Sequence, residues 1–305
     1  MIASRGEFYP AVRVMWDLTT QSLLTDLGPS DVSHNLSASA LRRGLAVNAF
    51  ALLETYLQSR FEELLAQLSN SPLSYASFSN ELRALLTLNA TIGLATKVGY
   101  AAKADKLAMA EGGISRIAGY AATPPVYTAF GFSPKGSNVY KDDVGTCLTA
   151  LGAIKPWNQM ADVASAIGST RVDISVDFDN IARTRNQCAH NSRSSIPTID
   201  LQTHLECVTL IGIGFDVIAT SIVKEICSTT TAADLATVSS RAVRPFRFLD
   251  HQIDGTWAER ATLNGRNVKA YQTEQTARSG VMTRVNSGAR FHILRNTQKI
   301  PLELL

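Results

Sequence analysis

Cysteine is scarce in this 305-residue chain: Cys147, Cys188, Cys207 and Cys227 are the four copies, with no Cys-x-x-Cys pair and no paired histidine beside them. That usage offers neither a zinc site nor a disulfide framework, and it fits a reducing cytoplasm. Charge is thin as well, 18% of residues against 45% hydrophobic, which excludes a disordered chain. No membrane span is expected. The most hydrophobic window, from Cys207 to Val223, is interrupted by Asp216 and followed by Lys224 and Glu225. The first residues, Met-Ile-Ala-Ser-Arg-Gly-Glu, lack the apolar core of a signal peptide, so neither export nor membrane attachment is expected. No internal repeat of fixed period occurs.

What is present suffices for one sizeable core and an appended module. The net charge of +3 is unevenly spread, because residues 241–305 hold 11 Lys and Arg against 5 Asp and Glu, while residues 1–240 hold 18 against 21. A basic tail module on a mildly acidic body points to an anionic partner, or to arginines that only solubilise a small exposed module.

Helical periodicity dominates the first 228 residues. Phe50, Leu53, Leu57, Phe61, Leu64 and Leu68 step by three and four, with Arg42, Arg43, Arg60, Glu62 and Glu63 largely off the stripe. This predicts a long amphipathic helix over 39–68, capped by Ser37 or Ser39 and ended by Ser69-Asn70-Ser71-Pro72. A second pattern over 200–227 is apolar enough for the middle of a bundle. Between them the sequence predicts a helical stretch at 79–111, a Gly/Pro/Tyr-rich loop at 119–139, and helices at 141–151, 156–167 and 176–190. Beyond 240, strand-length runs alternate with Asp254-Gly255, Asn264-Gly265 and Ser287-Gly288, which predicts a small β-rich or irregular module.

The most informative segment is Arg183-Thr-Arg-Asn-Gln-Cys-Ala-His190. An arginine and a following histidine with four to six residues between them arise about once by chance at this composition. Arg244 and His251 form such a pair, but Pro245 follows the arginine and no helical period surrounds it. The segment ending at His190 differs in sitting on a predicted helix. There Asn186 is one turn before His190, and Arg183 lies about 20° from it around the axis, whereas Arg185 lies about 140° away. Periodicity alone favours Arg183.

Arg185-Asn186-Gln187-Cys188-Ala189-His190 resembles the signature of the HEPN ribonuclease superfamily, most closely the RiboL-PSP-HEPN group. The helix from Leu41 to Leu57, with Glu54 after an apolar run, is similar to that family's first helix. The order of long helix, variable insert, Arg-to-His helix, short loop and closing apolar helix also matches. The resemblance covers about 37–225 and leaves the tail uncovered. It implies a mainly α fold, an antiparallel helical bundle with a loop-rich insert, divided here as an N-terminal extension at 1–36, a helical domain at 37–228 and a basic module at 241–305.

The implied activity is a metal-independent endoribonuclease of toxin or antiphage-defence type. RNA brings its own nucleophile, the 2′-hydroxyl, so the enzyme needs a group to move protons and a cation to steady charge on phosphorus. Histidine titrates near neutrality and arginine forks to two phosphate oxygens. The resemblance assigns catalysis to Arg185, His190 and Asn186, with Arg183 and Glu54 as accessory candidates, no cofactor and no metal. It also implies a homodimer whose cleft holds two Arg–His sets, RNA as substrate, and an antitoxin or defence-system partner. Arg193, Arg244 and Arg247 are candidate RNA contacts.

Other readings compete. His190 also suits a helix C-terminus through the helix dipole, Glu54 a solvated helix face, and Asp177 and Asp179 the first turn of their helix. His204, His251 and His292 carry no partner pattern. Ser192 stands where the family's nucleotidyltransferase-regulated toxins carry a modifiable tyrosine, which argues against that regulation. The alternative function is an inactive HEPN-like module that binds nucleic acid or a partner protein.

Overall fold

The two long amphipathic patterns become the longest helices in the computed structural model, which describes residues 2–136, 138–231, 245–287 and 290–305. The chain is mainly helical with a small C-terminal mixed sheet. It divides into two compact units, Met1–Tyr56 with Met160–Gly214 and Arg244–Leu305, and Leu57–Gln159 with Phe215–Val243. The division cuts both long helices.

In the first unit, α1 (Ala3–Leu18) is followed by the first half of α2 (Val32–Leu68). Residues 1–36 were expected as an extension. Instead Phe8, Tyr9 and Val12 are buried, with Phe8 stacked on Tyr56 at 4.2 Å between centroids. Gly212 admits that ring, since a Cβ there would stand 2.7 Å from it. Pro10 inside α1 removes a backbone hydrogen bond, and burial of the neighbouring aromatic rings offsets the loss. Helix α2 also starts earlier than expected. Ser37 is not its cap but lies within it, returning a hydrogen bond to the Ser33 carbonyl at 3.0 Å. Its first turns bury little, so the apolar stripe begins downstream of the helix itself.

Two further helices of this unit bear on the site. α8 (Ile174–His190) runs antiparallel to α2, pairing Phe178 with Phe50 at 5.7 Å and the loop after His190 with Arg43. α9 (Thr198–Ser228) contributes its first half. Arg42, expected off the apolar stripe, is only 1% exposed and donates to the Ile196 and Leu24 carbonyls and to Asp26. A helix surrounded on several sides buries more than one stripe, and a buried guanidinium must then be satisfied by hydrogen bonds.

The C-terminal module is a five-stranded sheet, β1 (Phe246–His251), β2 (Trp257–Arg260), β3 (Asn267–Tyr271), β4 (Phe291–Arg295) and β5 (Pro301–Leu304), in the order β3-β2-β1-β4-β5. The first three strands form an antiparallel meander. The sequence reading missed β5 and α10 (Glu274–Ser287), the helix that carries the chain across to place β4 parallel to β1. Gly255 adopts φ 83°, as the Asp-Gly turn requires. The expected turn at Ser287-Gly288 reaches outside the described residues. Leu249, Trp257, Tyr271, Ala277, Val281 and Leu294 form the module's own core.

In the second unit, α2 and α9 continue side by side and parallel. Arg60 bonds Asp216 at 2.8 Å, and the Cys227 thiol meets the Gln67 carbonyl at 3.4 Å. The expected antiparallel arrangement therefore describes α8 against α2 but not α2 against α9. The stretch 79–111 is also not one helix. It is α3 (Asn80–Ala84), a π-helical turn at Leu85–Asn89, α4 (Ala90–Tyr100), a break, and α5 (Lys106–Ala118). Close backbone approach explains the irregularity: Gly131 of the insert loop lies so near the Leu85 carbonyl that a Cβ would stand 2.2 Å from its oxygen. The loop is anchored by Phe132, wedged between Phe61 and Phe215. α6 (Lys141–Leu151) lies where expected, and α7 (Pro156–Ala166) straddles the division.

Only α9 is long and apolar enough to cross a membrane, at mean hydropathy 1.8 among the described residues, and 89% of that window is buried within the protein.

Candidate active site

Helix α8 explains why its last two turns are available for chemistry. Asp173 caps it, accepting from the Ser175 and Val176 amides at 3.0 Å, and Ile174, Phe178 and Ile181 bury one face. Beyond Ile181 no residue of the helix is fully buried. Arg183, Asn186 and His190 are exposed, and Arg185 and Cys188 half-buried.

His190 closes the helix and faces an open cleft of about 500 Å³. The opposite wall is α2, through Ala40, Arg43, Gly44 and Asn48, and Ser192 forms the near edge. Small residues hold the cleft open; a Cβ on Gly44 would meet nothing within 4 Å. Arg43 donates to the Ser192 and Ser194 carbonyls, fixing the loop beyond His190 and leaving a permanent cation in the cleft that the imidazole also lines. Cys188 lines the same cleft, and burial raises its thiol pKa, which disfavours a thiolate nucleophile.

The expected partners of His190 sit elsewhere on the helix. Arg185 donates to the Asn186 side-chain oxygen at 2.9 Å, and its Nε is buried with no partner. Arg183 donates to Asn180 at 3.3 Å. Neither arginine lines the cleft, nor does Asn186. Glu54 is half-buried, six residues or about 9 Å further along α2 than Asn48. The sequence reading had placed no role on Arg43 or Asn48. The Arg42-Arg43 doublet is visible in the sequence, but only the packing shows that Arg42 turns inward and Arg43 is left to the cleft.

Of the candidate RNA contacts, Arg193 is exposed in the loop next to His190. Arg247 pairs with Glu259 at 3.0 Å inside the C-terminal module, and Arg244 lies outside the described residues. Asp250 takes Arg260, Arg295 and Lys299, and Glu259 also takes Arg284. Much of the module's basic surplus is therefore engaged by its own carboxylates. Among the described residues, no group of three or more His, Cys, Asp or Glu stands close enough to hold a metal ion.

An imidazole, a guanidinium and an amide around an open cleft can move a proton, steady an anion and orient a polar group. No family model, curated protein or solved structure matches this chain.

Proposed function

We propose that this chain is a metal-independent endoribonuclease of HEPN type, acting as a toxin or defence effector, with His190 as its proton-transfer group. The observation that carries the reading is the exposed imidazole of His190 at the end of α8, in a cleft it shares with Arg43 and Asn48. His190 accepts the 2′-hydroxyl proton as the 2′-oxygen attacks phosphorus. The bond from phosphorus to the 5′-oxygen breaks, the leaving oxygen takes a proton from water, the imidazolium returns its proton to solvent, and a 2′,3′-cyclic phosphate remains. Arg43 steadies the charge on the non-bridging oxygens.

The family resemblance gives the cation role to Arg185, and its exposed neighbour Asn186 the orienting role. In a homodimer, a second copy would bring a second such set to a shared cleft. A specific observation favours the alternative of an inactive binding module: Arg185 is turned to Asn186, outside the cleft.

Incubating the purified protein with total cellular RNA in EDTA, beside His190→Ala, separates the readings. The enzyme reading expects cleavage that persists under chelation and is absent from the variant. The binding reading expects RNA retention without cleavage by either protein.

A further inference from the structure

A second pocket, of about 300 Å³, lies between α8 and α9, and Cys188 lines both it and the His190 cleft. Its volume is at the small end for ligand sites. The lining is rich in hydrogen-bond acceptors: Asp177 from α8 and Asp200 from α9 carry carboxylates, and His204 adds an imidazole. His204 is only 4% exposed and donates to the backbone of Ala46, which leaves Nε2 as a lone-pair acceptor, and that atom has no partner. An unsatisfied buried nitrogen beside a polar cavity calls for a donor to fill it. The one guanidinium in the lining, Arg171, is already engaged by Asp177 at 3.3 Å.

Asn180, whose side-chain oxygen accepts from Arg183 at 3.3 Å, and Gln187 add amide donors and acceptors to the lining, the group type that reads an adenine edge. Ile181, Ile196 and Pro197 supply apolar surface against which a flat ring can lie. A phosphate would be repelled by the two carboxylates and belongs on the Arg43 side of Cys188. A planar, uncharged, amine-bearing ring satisfies each of these constraints together.

We infer that the α8–α9 pocket binds a nucleobase with an exocyclic amine, supplied by a nucleotide flanking the phosphodiester at His190. The position relative to the cut rests on the ribonuclease reading, whereas the pocket's selectivity for the base does not. Phosphate contacts would position the strand and this pocket would select its sequence.

Two measurements test it. First, the His190→Ala protein is titrated calorimetrically with adenosine, cytidine, guanosine and uridine monophosphates, alone and with Gln187→Leu or Asp200→Asn added. At least one amine-bearing nucleotide is expected to bind roughly tenfold more tightly than uridine monophosphate, with the difference lost in the added variants. Second, the wild type and Gln187→Leu are given a random-sequence RNA and the cut sites are sequenced. A preferred amine-bearing base at one fixed position is expected, and its preference should collapse in the variant. Equal binding of all four nucleotides, or discrimination untouched by both substitutions, overturns the inference. Base discrimination without any RNA cleavage removes the flanking-nucleotide assignment and the ribonuclease reading while leaving the base site; cleavage without base preference does the reverse.

Discussion

Alanine at His190 removes the imidazole of the cleft while disturbing almost no packing, because the side chain is exposed at the end of its helix. Cleavage is expected to vanish with the melting temperature within about a degree of wild type. Two variants decide between the candidate cations. If Arg43→Ala abolishes cleavage while Arg185→Ala retains it, the cleft geometry names the catalytic arginine; the opposite result returns the role to the family pattern. The Arg185-to-His190 spacing was visible in the sequence because it is local. Arg43 was not, because its place opposite His190 depends on α2 lying against α8, which no local period reveals. Two other histidines govern a separate property. Burial lowers the pKa of His204 and of His292 to about 4, below the ordinary value near 6.5. The fold thus favours their neutral forms, so their contribution is fully present above about pH 6.5 and is lost as pH falls toward 4. Unfolding free energies from urea titrations should decline across that window, by up to about 1.4 kcal/mol per pH unit for each histidine, with the midpoints falling alongside, and His204→Leu should flatten the decline. A wild-type midpoint constant from pH 7 to 4 would refute this.

Among the elements, α2 carries the most. In the second unit its Arg60 is fully buried against Asp216 and Thr220 of α9, with Glu63 beside it. Asp216→Ala leaves that guanidinium without its main partner and should cost about 3–5 kcal/mol in denaturant unfolding. Replacing Arg60 and Asp216 together by Met and Leu should recover most of that loss; a single variant as stable as wild type would show that the pair contributes little. At the other end of the helix, Gly44→Leu should add up to about 1 kcal/mol of helix stability while filling the cleft and suppressing cleavage. The apolar periods of α2 and α9 were legible because each keeps a stripe over many turns. The π-helical turn inside 79–111 was not, since it lies where Gly131 of a distant loop approaches the Leu85 carbonyl. The same holds for α1, whose Pro10 argues locally against a helix that tertiary burial of Phe8 and Tyr9 secures.

For the whole molecule, the charge asymmetry of the last 65 residues was legible and its meaning was not, because composition counts cations without their partners. Arg247, Arg260, Arg284 and Arg295 all meet carboxylates of their own module, so the surplus overstates what is left for RNA. Arg247→Ala should leave the salt dependence of RNA binding nearly unchanged. Arg193→Ala should lower the slope of log affinity against log salt by about 0.7 to 0.9. Equal effects would mean that the module does contact RNA. Homodimerisation is checked by light scattering at micromolar concentration, where twice the 32.9 kDa chain mass is expected and a monomer that still cleaves would discard the shared cleft. Which oxygen attacks phosphorus is recorded in the ends of the cleaved RNA. Wild-type protein in EDTA should leave 2′,3′-cyclic phosphate and 5′-hydroxyl ends that His190→Ala does not produce; 3′-hydroxyl and 5′-phosphate ends that require added Mg²⁺ would contradict the account.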